Sequence, residues 1–318
     1  MSQTADDRGS TTGDHSADEG GGRRPVRALS VLIKIRRALP SLRPAEQRVA
    51  QAVLDDPAGV SESSITTVAK LCETSETTVL RFCRAVGLAG YPELRIALAR
   101  AAQWEETDQD NGAPITGRIS QTDSLSDVVS KIAYADSRAI ADTARALDVQ
   151  MLERVVDTLA AARRIDVFGT GASGLVAQDL HHKLHRIGLT SFSWPDSHLA
   201  LTAAAVLKPD DVALAFSHSG TTSDTIDVLK VARRHGATTI AVTNFDHSPI
   251  SQHCDLLLVT AAHEAAFRSG AMSSRIAQLA LVDCIFAGVA QRSYEESVEA
   301  IESSYAAVES RHLSSRTH

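Results

Sequence analysis

Two short loops constrain the fold of this chain more than any other feature. Phe168-Gly169-Thr170-Gly171-Ala172-Ser173 follows an apolar run from Ile165, and Phe216-Ser217-His218-Ser219-Gly220-Thr221-Thr222 follows one from Val212. Each precedes a helical pattern. A helix N-terminus leaves backbone N–H groups unpaired and carries about half a positive charge, so a phosphate docks there without a lysine. Ser173, Ser217, Ser219 and Thr222 supply hydroxyl donors, and glycine lets the backbone approach a ligand closely. Neither loop holds Lys or Arg. Two such loops on successive strand–helix units read as a site for a small phosphorylated molecule held by dipoles and hydroxyls. A glycine loop closed by Lys-Ser or Lys-Thr is absent, and the first loop is read as an anion turn, not as a dinucleotide-binding turn.

At 318 residues the chain is long enough for two domains. A hydrophobic content of 43% and a charged content of 22% are ordinary for a globular protein. The net charge of −7 argues against wholesale coating of nucleic acid, but it is unevenly spread. Residues 27–104 hold eleven Lys/Arg against seven Asp/Glu, a local +4, which leaves −11 elsewhere. That segregation points to a nucleic-acid-binding N-terminal domain. The four cysteines form no CxxC pair; Cys72 and Cys83 fall on apolar faces of expected helices and read as buried, reduced thiols. No stretch is expected to approach the ~20 apolar residues of a membrane span, and the N-terminus lacks the apolar segment of a signal peptide. The expected location is the cytoplasm.

Residues 1–25 are rich in Gly, Ser, Thr and Asp without periodicity, and disorder is expected there. The segment 26–104 is helical by pattern. Leu32, Ile35 and Leu39 precede a break at Pro40, and Pro44 opens a second helix that stops before Pro57. Ile65, Val68, Ala69 and Cys72 then stand at i, i+3, i+4 and i+7. After a short turn, Ser75 is a good N-cap for the stretch to Val86, and Gly87 is placed to end it in left-handed geometry. At about 100° per residue, with Thr77 at zero, Arg81 falls near 40° and Arg84 near −20°, while Val79, Phe82, Cys83 and Val86 fall between about 140° and 240°. Two short helices joined by a tight turn, the second with a basic face, read as a helix-turn-helix. The plainer alternative is an ordinary helix pair with a solvated basic face.

Residues 105–124 are polar, with Asp108-Gln109-Asp110-Asn111-Gly112 and Pro114, and read as a linker to a second domain over 125–300. From Leu125 a long helical pattern runs to Leu159. Short apolar runs at Leu189–Phe192, Thr239–Thr243 and Leu256–Val259 alternate with helical stretches, two of which end at Gly188 and Gly236. Strand alternating with helix means a parallel sheet covered on both faces, with ligands at the carboxyl ends of the strands, where both serine loops fall. Ser273 to Val289 is apolar at helical spacing and reads as core, a dimer face being the alternative. His181, His182 and His185 lack a Cys or acidic partner at ligand spacing, so neither a metal nor another cofactor is expected. Residues 301–318 read as a polar, frayed tail.

The two loops, the helix after the first and the Ser273-Ser274-Arg275 helix start resemble the signature of the sugar isomerase (SIS) domain, over about Leu125 to Ala290. Ser75-x-x-Thr78-Val79-x-Arg81-Phe82-x-Arg84-x-x-Gly87, followed by Gly90-Tyr91-x-Glu93-Leu94, resembles the DNA-binding domain of RpiR-type transcriptional regulators, and the domain order is similar too. Glu76 departs from that pattern, which tends to carry a small residue there. The resemblance implies a multidomain fold, an all-α helix-turn-helix domain followed by an α/β domain with a parallel sheet flanked by helices. It implies that Ser173, Ser217, Ser219 and Thr222 contact the phosphate of a phosphorylated sugar, with Glu264 as an acidic residue beside it. Thr77, Thr78, Arg81 and Arg84 would read the major groove of a double-stranded DNA operator, with Ser75 capping the helix and helping to hold a phosphate; Arg48 and Lys70 are further candidates for backbone contact.

The expected function is a DNA-binding transcriptional regulator of carbohydrate metabolism controlled by a sugar phosphate. A homodimer or homotetramer is expected, because two DNA heads must meet half-sites about 34–36 Å apart. Two alternatives stand beside it. One is an aldose–ketose isomerase with His218 or Glu264 as base; the other is a DNA-binding protein whose SIS domain only oligomerises.

Overall fold

The computed structural model describes residues 31–107, 119–264 and 271–309. The expected tail 1–25, positions 108–118 of the expected linker and residues 310–318 lie outside the described residues.

The N-terminal domain is built from α1 (Val31–Ala38), α2 (Pro44–Asp55), α3 (Pro57–Glu62), α4 (Ile65–Leu71), α5 (Glu76–Ala85) and α6 (Tyr91–Thr107). Its helix ends follow from local chemistry. Pro44 opens α2, and the hydroxyls of Ser64 and Ser75 accept the Thr67 and Thr78 N–H groups at 3.1 and 3.3 Å to start α4 and α5. Gly87 takes φ 78° and ends α5. α2 stops before Pro57 as expected, and Pro57 is the first residue of α3, which Asp56 caps by accepting the Gly59 N–H at 2.9 Å. Ile35, Val49, Val53, Val79, Phe82, Cys83, Leu94 and Leu98 form the core. Cys72 and Cys83 are free and buried, and burial pushes the Cys83 thiol up to about 11.

Three contacts hold this core in register. The Tyr91 hydroxyl donates to the carbonyls of Val60 and Ser63, tying α6 to the end of α3. Glu93 accepts the Ala89 N–H at 2.6 Å and fixes the turn before α6. Arg48 donates to the carbonyls of Cys72 and Glu73 at 2.9 and 3.0 Å and so clamps the turn between α4 and α5. Expected as a contact to a DNA backbone, Arg48 is instead engaged in building the turn that aims α5.

The second domain begins with α7 (Leu125–Ala146) and α8 (Val149–Ala160). The helical pattern from Leu125 to Leu159 is therefore two helices, divided because Asp148 accepts the Met151 N–H at 3.1 Å and restarts the chain as a cap. There follow β1 (Arg164–Gly169), α9 (Ala172–Arg186), β2 (Ser191–Trp194), α10 (Ser197–Ala204), β3 (Asp211–Phe216), α11 (Ser223–Arg234), β4 (Thr238–Thr243), β5 (Leu256–Val259), α12 (Ser273–Arg292) and α13 (Tyr294–Glu309). The five strands are parallel in the order β2-β1-β3-β4-β5. On one face Val155, Leu159, Val176, Leu180, Leu281 and Ile285 from α8, α9 and α12 pack on Ile165, Val167, Leu214 and Ile240. On the other, Ala200, Ala204, Leu229 and Ala232 from α10 and α11 pack on Ala213, Ala215 and Ala241. A sheet covered on both faces explains the unbroken apolar runs Val212–Phe216 in β3 and Ile240–Val242 in β4.

Two expectations need correction here. α12 is long and apolar enough by composition to cross a membrane, with a mean hydropathy of 1.3, contrary to the reading that no stretch comes near this. Its Ala277, Leu281, Val282, Ile285 and Val289 are packed inside the domain, which is the ordinary place for such a helix in a globular fold. The frayed tail expected from residue 301 is helical to Glu309, because Tyr294, Val298, Ile301 and Tyr305 recur at helical spacing and Ile301 packs on the sheet core.

Candidate functional site

Strand order reverses between β1 and β3: the chain leaves β1 for β2 on one side and returns to place β3 on the other. Parallel sheets hold ligands in the crevice outside the carboxyl ends of the strands at such a point. Both serine loops open there, with Gly169 beside Phe216 in the register of β1 and β3. α9 and α11 start from these loops behind Gly171 and Thr222, and neither receives a side-chain cap. By contrast α4, α5, α7, α8 and α10 are each capped by a serine hydroxyl or an aspartate. The first turns of α9 and α11 thus lack a side-chain cap, the arrangement in which a helix start can receive an anion, although the Gly174 N–H already donates to the Gly171 carbonyl at 3.0 Å.

Steric demands at two glycines fix the loops. A Cβ on Gly169 would stand 2.5 Å from the Ser173 carbonyl oxygen, and one on Gly220, at φ 65°, would stand 2.0 Å from Ser248 Oγ. Gly169, Gly171 and Gly174 do meet the G-x-G-x-x-G spacing of a dinucleotide turn. Such a site also asks for a ribose-binding acid after β2, but Asp196 is engaged there in capping α10 through the Leu199 N–H at 2.9 Å.

The hydroxyls expected to hold phosphate are gathered on these loops. Ser217 accepts the Gly220 N–H at 3.1 Å and stands 3.4 Å from Thr222 Oγ1. The hydroxyls of Ser219 and Thr221 lie 2.8 Å apart. Ser173 is buried at the start of α9, its hydroxyl 3.4 Å from Gln278 Oε1 on α12. Glu264 follows β5, and its Oε1 accepts both the N–H and the hydroxyl of Ser274 at 2.7 Å. Burial pushes the His218 imidazole below its ordinary value while the Glu264 carboxylate pulls it up, so these two groups share the local field.

Among the described residues, three polar atoms in this neighbourhood are buried without a hydrogen-bond partner: His218 Nδ1, Glu264 Oε2 and Gln278 Nε2. Each such group costs about 1–3 kcal/mol until something pairs with it. Gln278, 1% exposed, is a residue that sequence reasoning missed. On an apolar helix it read as one polar position in a core stripe; the only signal for it was the Ser273-Ser274-Arg275 start one turn earlier. Asp136 and Thr143 of α7, which brace the rim through Ser273 and Ala261, were missed for the same reason.

On the N-terminal domain, α5 turns Val79, Phe82, Cys83 and Val86 inward and leaves Thr77, Arg81 and Arg84 exposed, as the wheel requires. Ser75 caps the helix and is itself exposed. Thr78 departs from expectation. It is only 4% exposed, its hydroxyl lies 3.0 Å from that of Ser75, and it accepts from the Arg81 guanidinium at 3.2 Å. Its hydroxyl is thus engaged with Ser75 and the Arg81 side chain. Glu76 accepts the Thr66 hydroxyl at 2.6 Å and ties the start of α5 to α4, which gives its carboxylate a structural role. Lys70 is exposed in the last turn of α4.

Comparison with known proteins agrees with both halves of this architecture. Residues 29–105 match the helix-turn-helix domain of the rpiR family, and residues 158–288 match the SIS domain. An uncharacterized HTH-type transcriptional regulator of Caldanaerobacter subterraneus subsp. tengcongensis is 37% identical over 86% of this chain and 94% of its own length. A second, from Bacillus subtilis, is 32% identical over 89% of this chain and 97% of its own. Among solved structures, the Vibrio vulnificus NanR protein complexed with ManNAc-6P covers 89% of this chain and 99% of its own at 29% identity, with a TM-score of 0.56. The chain belongs to the rpiR family of helix-turn-helix transcriptional regulators and joins that family's DNA-binding domain to a SIS domain.

Proposed function

We propose that the protein binds operator DNA through α5 and that a phosphorylated sugar in the β1–β3 crevice controls that binding. The observation that carries this reading is the crevice itself. Two uncapped helix N-termini and the loops that carry Ser173, Ser217, Ser219 and Thr222 open at the carboxyl ends of the adjacent strands β1 and β3. Beside them are three buried polar atoms, His218 Nδ1, Glu264 Oε2 and Gln278 Nε2, that lack a partner among the described residues. The helix ends and hydroxyls suit the phosphate; His218, Glu264 and Gln278 suit a hydroxyl- or amide-bearing sugar. The ManNAc-6P named for NanR supports an amino-sugar phosphate as the first effector to test. An isomerase would need one of His218 and Glu264 to be oriented as a base. His218 Nδ1 has no orienting partner and Glu264 is engaged with Ser274, so regulation is the better reading. Two copies present two α5 helices to two half-sites, and the protein acts in the cytoplasm, where its DNA lies.

The site is tested by thermal unfolding of the full chain with ManNAc-6P, fructose 6-phosphate and ribose 5-phosphate. At about a hundred times its dissociation constant a ligand adds roughly 2.7 kcal/mol, worth about 5–10 °C for a domain of this size. The expected result is a shift with at least one of them that Ser219→Ala abolishes; no shift with any of the three removes the proposed site. The DNA face is tested by anisotropy with a duplex enriched from a random library by the unmodified protein. Arg81→Ala is expected to weaken binding by about 1–3 kcal/mol, and unchanged affinity takes Arg81 off the DNA surface.

A further inference from the structure

We propose that α7 is the element through which the crevice acts on the DNA-binding domain, with Arg36 and Asp142 as the joint between the two domains. The inference rests on the function proposed above and names the route of its regulation. Two turns of α7 carry all the contacts concerned. Asp136 accepts the Ser273 hydroxyl at 2.7 Å, and Thr143 Oγ1 accepts the Ala261 N–H at 3.0 Å. Between them Ala139 packs against Ala262 and Ala277, a seam of methyl groups that brings three backbones close together. Asp142, 3% exposed on the same two turns, accepts from the guanidinium of Arg36 on α1 at 3.0 Å.

The partners of these pins belong to the crevice rim. Ser273 adjoins Ser274, whose N–H and hydroxyl Glu264 holds. Ala261 adjoins Ala262, whose N–H donates to Asn244 Oδ1 at 2.7 Å while Asn244 Nδ2 donates to the Ala262 carbonyl at 3.1 Å. The Asn244 N–H in turn donates to the His218 carbonyl, inside the second serine loop, at 3.0 Å. A hydrogen-bonded route therefore runs from His218 through Asn244, the 261–262 backbone and Thr143 to Asp142 and Arg36, and a second joins Glu264 to α7 through the adjacent serines. Helices resist stretching, and close-packed seams shift between discrete arrangements more readily than they deform. A sugar phosphate that repositions the His218 loop or Glu264 thus biases where α7, and with it α1, sits. Such a ligand changes DNA affinity only by preferring one of these arrangements.

Arg36 is suited to a signalling contact because Asp142 does not need it for charge. Arg145 stands 2.9 Å and Arg138 3.5 Å from the same carboxylate. Arg36→Met therefore leaves Asp142 paired and the fold intact. The experiment measures, on full-length protein, the affinity for the library-enriched duplex with and without saturating ManNAc-6P, and the affinity for ManNAc-6P itself by calorimetry. Unmodified protein is expected to change its DNA affinity by about tenfold or more on adding the sugar phosphate, within the usual range of such couplings. In Arg36→Met both separate affinities are expected within threefold of the unmodified values, while the change produced by ManNAc-6P falls below twofold. Arg292→Ala, which breaks an ion pair with Asp157 on α8 away from the route, is expected to keep the full response. A full response in Arg36→Met overturns the inference while leaving the proposed function standing. Unmodified protein that binds ManNAc-6P and duplex with no mutual effect overturns both, and protein that binds no ManNAc-6P overturns the effector reading and the route drawn from it.

Discussion

Gly220→Val is expected to abolish binding of ManNAc-6P and to destabilise the sheet domain by about 3 kcal/mol, the sum of roughly 1–2 for a left-handed side-chain-bearing residue and about 1–3 for overpacking. At φ 65° a β-branched residue is strained wherever its side chain points. Space makes matters worse, since the added Cβ meets Ser248 Oγ at 2.0 Å and Thr243 Oγ1 at 2.9 Å. Ser248 cannot swing aside freely, because its hydroxyl donates to the Phe245 carbonyl at 2.6 Å. The loop must move instead, and its anchors go with it: the Gly220 N–H on Ser217 Oγ and the Ile250 N–H on the Gly220 carbonyl. Gly171 is the control. At φ 61° and ψ −125° it lies outside the left-handed helical region, but nothing stands within 4 Å of its would-be Cβ, so Gly171→Ala is expected to cost only backbone strain, about 1–3 kcal/mol. Thermal unfolding and ManNAc-6P calorimetry on both variants separate strain from overlap. A Gly220→Val protein that melts and binds like the unmodified one would mean that the second serine loop has a different conformation from that described.

Legibility in the sequence followed the range of the physics involved. Caps and stops are local: Pro44, Ser64, Ser75, Gly87, Gly188 and Gly236 each act on the next few residues, and each stands where its chemistry places it. The serine loops were legible for a related reason, since apolar strand, glycine turn and helix start form one contiguous signal. Elements that depend on distant partners were not. α10 and the true start of β2 are defined by packing on β1 and α11, and the break before Asp148 looked like continuous helix because Leu147 and Leu152 keep the apolar period across it. At the site, the hydroxyls were visible by position while Gln278, Asp136 and Thr143 were hidden in helices whose periodicity says only that one face is buried. Thr78 and Arg48 show the converse limit. Both carry a polar group suited to DNA, and only the folded chain reveals that Cys72, Glu73, Ser75 and Arg81 already engage them.

Phe82→Ala is expected to remove about 3–5 kcal/mol from the N-terminal domain. Its ring is wholly buried in the core that α5 shares with the rest of that domain. A domain of about 80 residues has roughly 4–12 kcal/mol to lose, so the variant stands near its folding limit at 37 °C and duplex binding is expected to fail. The cores of the sheet domain share no buried residue with this one. Sugar-phosphate binding is therefore expected to survive in Phe82→Ala, within threefold of the unmodified affinity. Calorimetric unfolding should then resolve two transitions, the lower displaced by about 12 °C or more at 4–8 °C per kcal/mol, and the upper still raised by ManNAc-6P. A single transition displaced as a whole would mean that the domains unfold as one unit. In that case the Arg36–Asp142 contact lies in a cooperative interface, and adding Arg36→Met to Phe82→Ala should split the transition in two.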